Sequence, residues 1–107
     1  MSYKILPTLR FQKEVKRLLK KYPSLKNDLA DLIDQLIENP ELGIALGNNC
    51  FKIRLAIASK GKGKSGGARI ITYVFFKMET VYLLSVYDKS EQNAISDSDI
   101  IDLVKSL

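Results

Sequence analysis

The residue types able to do chemistry in this chain are lysine and arginine, concentrated in one stretch, and there is no histidine. Lys52 and Arg54 alternate with apolar neighbours. A glycine-rich loop then carries Lys60, Lys62 and Lys64, and Arg69 opens a second apolar run. From Lys52 to Lys77 there are seven basic residues and no acidic one, which makes this stretch the place to seek polyanion binding and phosphate chemistry. Cations alone suffice to cut RNA, because RNA brings its own nucleophile, the 2′-hydroxyl. The protein has to remove that proton, stabilise the pentacoordinate phosphate and assist the departing 5′-oxygen. Arginine stays charged, so Arg54 and Arg69 suit bidentate stabilisation of the phosphate oxygens. Of the two, only lysine can usefully shed a proton, and Lys52 is expected to be crowded by Arg54, Arg69 and Lys89. A set of ordinary solvated strand residues reads the same way at this level, and both readings stay open.

Two other chemistries fail on spacing. Gly63-Lys64-Ser65 invites a nucleotide-binding P-loop, but Ala58 stands where the first glycine is needed, and a strand rather than a helix follows. A metal-dependent nuclease needs carboxylates, histidines or cysteines gathered at the basic stretch, and only Asp88 lies near it. The expectation is no metal and no small-molecule cofactor. Cys50, the single cysteine, has apolar neighbours and reads as a buried thiol.

The elements that must position these groups follow from periodicity. Tyr3 to Leu6 is a short leading strand ended by Pro7, and Thr8 is a candidate N-cap. Phe11, Val15, Leu18, Leu19 and Tyr22 form one stripe of a helix over 9–22 whose other face carries Arg10, Lys13, Lys16, Arg17, Lys20 and Lys21. After Pro23-Ser24 the same spacing recurs in Leu25, Leu29, Leu32, Ile33, Leu36 and Ile37 until Asn39-Pro40 stops it, so two helices form a hairpin with a joint apolar face. The second helix is acidic, with Asp28, Asp31, Asp34 and Glu38, and is expected to point away from nucleic acid. Residues 40–49 read as loop. From Phe51 the period becomes 2, and three strands follow as an antiparallel meander: one from Phe51, then Ile70 to Phe76 and Val81 to Val86. Parity groups Lys52 with Arg54, Arg69 with Tyr73, and Ser85 with Tyr87 and Lys89, on a sheet face expected to be open for ligand. Ser96 to Asp99 is a capping box that starts a short C-terminal helix bearing Ile100, Ile101, Val104 and Leu107.

The fold class expected is therefore α+β, in the order β-α-α-β-β-β-α, an antiparallel sheet on a helical hairpin. Residues 1–107 read as one domain. The net charge of +5 and a pI near 9.4 favour an acidic partner. No secretory h-region and no apolar run of membrane-spanning length is present, so no membrane contact is expected and the cytoplasm is the expected compartment.

With these elements in order, the chain resembles the RelE/ParE superfamily of bacterial toxin–antitoxin toxins over nearly its whole length. Cys50 to Leu55 is similar to the RelE-type strand bearing two basic catalytic residues. Gly63-Lys64-Ser65-Gly66-Gly67-Ala68-Arg69 resembles a signature of the HigB-like branch, and Leu83 to Glu91 is similar to that branch's closing strand with its terminal lysine. The resemblance implies a RelE-like fold and a metal-independent, ribosome-dependent endoribonuclease that cuts mRNA and inhibits translation. It also implies partners: ribosome, mRNA and a cognate antitoxin, a small helix-turn-helix protein. Lys52, Arg54, Arg69 and Lys89 then fall on the catalytic basic positions. Lys60, Lys62 and Lys64 are the expected RNA contacts from the loop, with Tyr73 and Tyr87 as expected aromatic contacts on the sheet. Where RelE has a catalytic tyrosine this chain has Ile95, which leaves the general base unassigned. A ParE-like toxin that blocks DNA gyrase, and an RNA-binding module without activity, are the alternatives.

Overall fold

The helices form where the apolar stripe and the capping chemistry coincide. The computed structural model describes residues 2–91 and 94–107. After strand β1 (Lys4–Pro7), Thr8 caps helix α1 (Leu9–Lys21) by accepting the Phe11 N–H. Helix α2 (Leu25–Glu38) follows after only a few residues. Ser24 leaves its cap role unfilled and instead joins its hydroxyl to Asp28 and to Ser59 of the basic loop.

Residues 40–49 are not all loop. Strand β2 (Ile44–Gly47) pairs antiparallel with β3 (Cys50–Leu55), and Asn48 and Asn49 between them both have positive φ, 52° and 62°. Two positive φ values are the mark of a type I′ hairpin turn, which asparagine tolerates. Gly43 has φ +103°, and a Cβ there would lie 2.5 Å from the Lys52 carbonyl oxygen, so glycine alone fits where the chain enters β2. The expected order thus gains one strand.

Strands β4 (Ala68–Phe75) and β5 (Thr80–Asp88) complete a sheet in the order β1-β5-β4-β3-β2. The sheet is mixed rather than antiparallel, because β1 runs parallel to β5. The helices carry the chain across from β1 to the far edge, so no hairpin dictates the direction of β1. β2 meets β3 only as far as Lys52, which leaves Ile53 to Leu55 paired on the β4 side alone.

One sheet face buries Phe51, Ile53, Ile70, Val74, Val81, Leu83 and Val86 against Phe11, Leu18, Leu25, Leu29, Leu32 and Leu36 of the helices. The opposite face, expected to be open, is partly covered. Helix α3 (Asp97–Lys105), capped as expected by Ser96, lays Ile100, Leu103 and Val104 over Cys50, Ile71, Leu84 and Tyr87. Its apolar stripe therefore serves the chain's own second core, while Ile101 and Leu107 stay exposed. The uncovered remainder of this face lies on β3.

Candidate functional site

Cross-strand register builds the site. Arg54 of β3 stands opposite Arg69 of β4, and Arg69 opposite Tyr87 of β5, a row across three strands. Directly opposed side chains on such a face have Cβ atoms about 5 Å apart. Lys52 lies in the next row, opposite Ile71. The parity argument fails at β5. A bulge between Ile71 and Thr72 inserts Leu84, which joins the cluster under α3, and the Ser85 hydroxyl donates to Glu14 of α1 at 2.9 Å. Ser85 thus does not share an open face with Tyr87 and Lys89.

The predicted site residues divide by exposure. Arg54, Lys62 and Lys64 are exposed, and Lys52 is half-buried. Lys52, Arg54 and Lys64 line one groove of about 500 Å³ with Gln35, Leu42 and Ile44. Asp28 and Asp31 line it too, so α2 does not face away from the basic groups as its charge suggested. Asp28 spends one oxygen on the Ala58 N–H (3.1 Å) and the Ser24 hydroxyl (2.9 Å).

Arg69 is 5% exposed, and its guanidinium donates to the carbonyls of Lys64 (2.8 Å), Ala68 (3.1 Å) and Ser65 (3.3 Å). The expectation of an arginine on an open face is corrected: Arg69 staples the glycine-rich loop from beneath. Gly67 has no room for a side chain because a Cβ there would overlap the Leu55 carbonyl oxygen, and the Gly67 carbonyl accepts the Lys89 N–H at 3.0 Å. Lys89 is half-buried at that position.

Tyr87 is buried, so its ring is closed to a stacking base. Burial pushes its phenol up, against the nearby Arg69 charge and Ile95 N–H. Its hydroxyl makes no hydrogen bond of full geometry among the described residues. Tyr73 sits two rows beyond Arg69, opposite Cys50, stacked 6.3 Å from Tyr82 and packed into the α3 layer. Cys50 is a buried thiol as expected, and burial pushes it up toward the inert, protonated state.

Lys60 departs furthest from expectation. Its side chain is 9% exposed and forms an ion pair with Asp88, whose carboxylate is fully buried. Asp88 also accepts the Tyr22 hydroxyl (2.7 Å), the Ser90 hydroxyl (2.8 Å) and the Ser90 N–H (3.0 Å). Burial opposes ionisation of Asp88, but Lys60, Ser90 and Tyr22 outweigh it and hold the carboxyl well below the usual carboxylate range. Asp88 and Glu14 are the polar residues that sequence reasoning passed over. The one signal for Asp88 was its isolation as the single acid beside a basic cluster.

Of the basic face of α1, Arg10 pairs with Glu14, and Arg17 and Lys21 pair with Glu91. Among the described residues, no three His, Cys, Asp or Glu side chains gather as a metal site, and no helix is long and apolar enough to cross a membrane.

No family model matches the chain. Solved structures of E. coli proteins do. A doubly substituted RelE toxin in the free state superposes with a TM-score of 0.66 at 19% identity, covering 100% of this chain and 99% of that one. RelE in complex with an antitoxin RelBc peptide gives 0.62 at 20% identity, over 97% and 95% of the two chains. The intact RelBE toxin–antitoxin complex gives 0.62 at 21% identity, over 81% and 96%. Such identities speak for architecture, and the agreement runs from β1 to α3: this chain has the RelE fold.

Proposed function

We propose that residues 1–107 form the toxin of a type II toxin–antitoxin pair, a HigB-like, metal-independent endoribonuclease that cuts mRNA on the ribosome in the cytoplasm. The observation that carries this reading is the row Arg54–Arg69 with Lys52 beside it, on a RelE fold, with the exposed Lys64 lining the same groove as Lys52 and Arg54. In this scheme Arg54 holds the non-bridging oxygens of the scissile phosphate, and Lys52 handles a proton at the 2′- or 5′-oxygen. Lys89, whose N–H donates to the Gly67 carbonyl, adds positive charge beside the glycine-rich loop. Arg69 reaches substrate only by releasing the loop carbonyls; otherwise it acts by holding the loop in place. The RelE structures bound to RelB polypeptides favour a cognate antitoxin for this chain as well.

The test is expression of wild-type, Lys52→Ala and Arg54→Ala proteins in growing cells, with mRNA ends mapped by primer extension. Wild type arrests growth and leaves cuts in translated messages. Each substitution lowers cleavage by about 10²–10³-fold, the usual effect of removing one stabilising donor, with the fold intact by circular dichroism. A chelator leaves cleavage unchanged, since the groups proposed for the chemistry are lysine and arginine. Growth arrest with intact mRNA and inhibited DNA supercoiling would overturn the reading in favour of a gyrase-directed toxin.

A further inference from the structure

We infer that Asp88 is the positioning residue of the glycine-rich loop, acting through Lys60, and that Lys60 is therefore not one of the RNA contacts. This rests on the RNA-cutting reading above and assigns parts within it.

Three separated segments converge on the Asp88 carboxylate. Tyr22 comes from the end of α1, Lys60 from the loop between β3 and β4, and Ser90 from the turn after β5. The Lys60 ammonium also donates to the Ser90 hydroxyl at 3.0 Å and stands 5.6 Å above the Tyr22 ring. Its contacts among the described residues are Asp88, Ser90 and the Tyr22 ring, and a phosphate would have to displace a buried carboxylate to reach it. Removing one member of such a pair leaves an uncompensated buried charge, so truncating either residue alone is costly.

The loop is gripped twice. On its leading side a single 3-10 turn, Ala58–Lys60, is fixed by Asp88, by the Asp28 carboxylate on Ala58 N–H and by the Ser24 hydroxyl on Ser59 N–H. On its trailing side Arg69 holds the Lys64 and Ser65 carbonyls. Between the grips Lys62 and Lys64 are exposed to solvent. Lys89 follows Asp88 directly in sequence, so the same anchor fixes the chain where that candidate catalytic lysine begins. The pattern assigns distinct tasks to three lysines of one alternating run: Lys60 fastens, and Lys62 and Lys64 present charge.

Binding of a 2′-O-methylated single-stranded oligonucleotide, which cannot be cleaved, tests this as a function of salt. Every phosphate that a variant no longer neutralises lowers the slope of log K against log salt by about 0.7 for a single strand. Lys62→Gln and Lys64→Gln are expected to lower the slope by that amount. Lys60→Met is expected to leave the slope unchanged while weakening binding at every salt concentration. Asp88→Asn is expected to weaken binding by about tenfold through misplacement of the loop, and the effects of Asp88→Asn and Lys60→Met are expected not to add. Hydrogen exchange at residues 58–64 is expected to speed up in both variants. A lowered slope in Lys60→Met, or additive losses in the double variant, would overturn the assignment. Should either single variant fail to fold, the slope for the double variant Lys60→Met/Asp88→Asn, which removes both buried charges, still decides. Absence of salt-dependent binding by the wild-type protein would instead count against the RNA reading itself.

Discussion

At the scale of single residues, the buried polar atoms carry the most information. Thr72 is fully buried, and its hydroxyl has no partner among the described residues. An unmade hydrogen bond costs more than an absent one, so Thr72→Val, which keeps the shape and deletes the hydroxyl, is expected to stabilise the fold by about 1 kcal/mol in urea unfolding. Asp88 is the opposite case, with both oxygens engaged and its native pKa depressed. A depressed carboxylate contributes stability that is complete above its unfolded pKa, about 3.9. That contribution is lost as the pH falls toward the native value. The gap in melting temperature between wild type and Asp88→Asn is therefore expected to be widest above about pH 5 and to narrow below about pH 4. Thermal scans across that range check it. The basic residues were legible in the sequence by type and spacing. Which of them are free was not, because Asp88 lies 28 positions from Lys60 and 66 from Tyr22. No local pattern records such a meeting.

At the scale of elements, α1, α2 and α3 were readable because each combines a cap or a breaker with a 3.6-residue apolar stripe. β2 was hidden by its length, four residues, and by an Asn-Asn turn that resembles loop composition. Strand parity worked on β3 and β4 and broke on β5, where the bulge at Leu84 shifts the register without leaving a mark in the sequence. Coverage of the second face by α3 was likewise not legible: an apolar stripe states that something must be buried but not against what. The consequence is measurable. Ile100 is 6% exposed and Ile101 is 39% exposed on adjacent positions of one helix. Ile100→Ala is expected to cost about 2–3 kcal/mol, while Ile101→Ala changes little, as urea denaturation of the two variants will show.

At the scale of the whole molecule, the net charge of +5 draws on α1, β3 and the loop, and Lys60 of that loop stands over the Tyr22 ring at the end of α1. The acidic residues are fewer, and four of them are engaged by neighbouring elements: Glu14 on α1 and β5, Asp28 on the loop, Asp88 on Lys60, Glu91 on Arg17. The short pairing between β2 and β3 gives this distribution a second meaning. Among the described residues, the outer edge of the sheet beyond Lys52 has no neighbouring strand, and an uncapped edge is a template on which another copy's strand can stack. Arg54 stands in the middle of that gap, exposed, where its charge repels an identical edge. The residue proposed to grip RNA is thus also the gatekeeper of solubility. Arg54→Val is expected to produce soluble oligomers or precipitate, seen as rising light scatter with concentration, while Arg54→Lys stays monodisperse. A polyanion that neutralises this charge brings the same hazard to the native chain, so the protein saturated with short RNA is expected to self-associate at concentrations where the free protein does not.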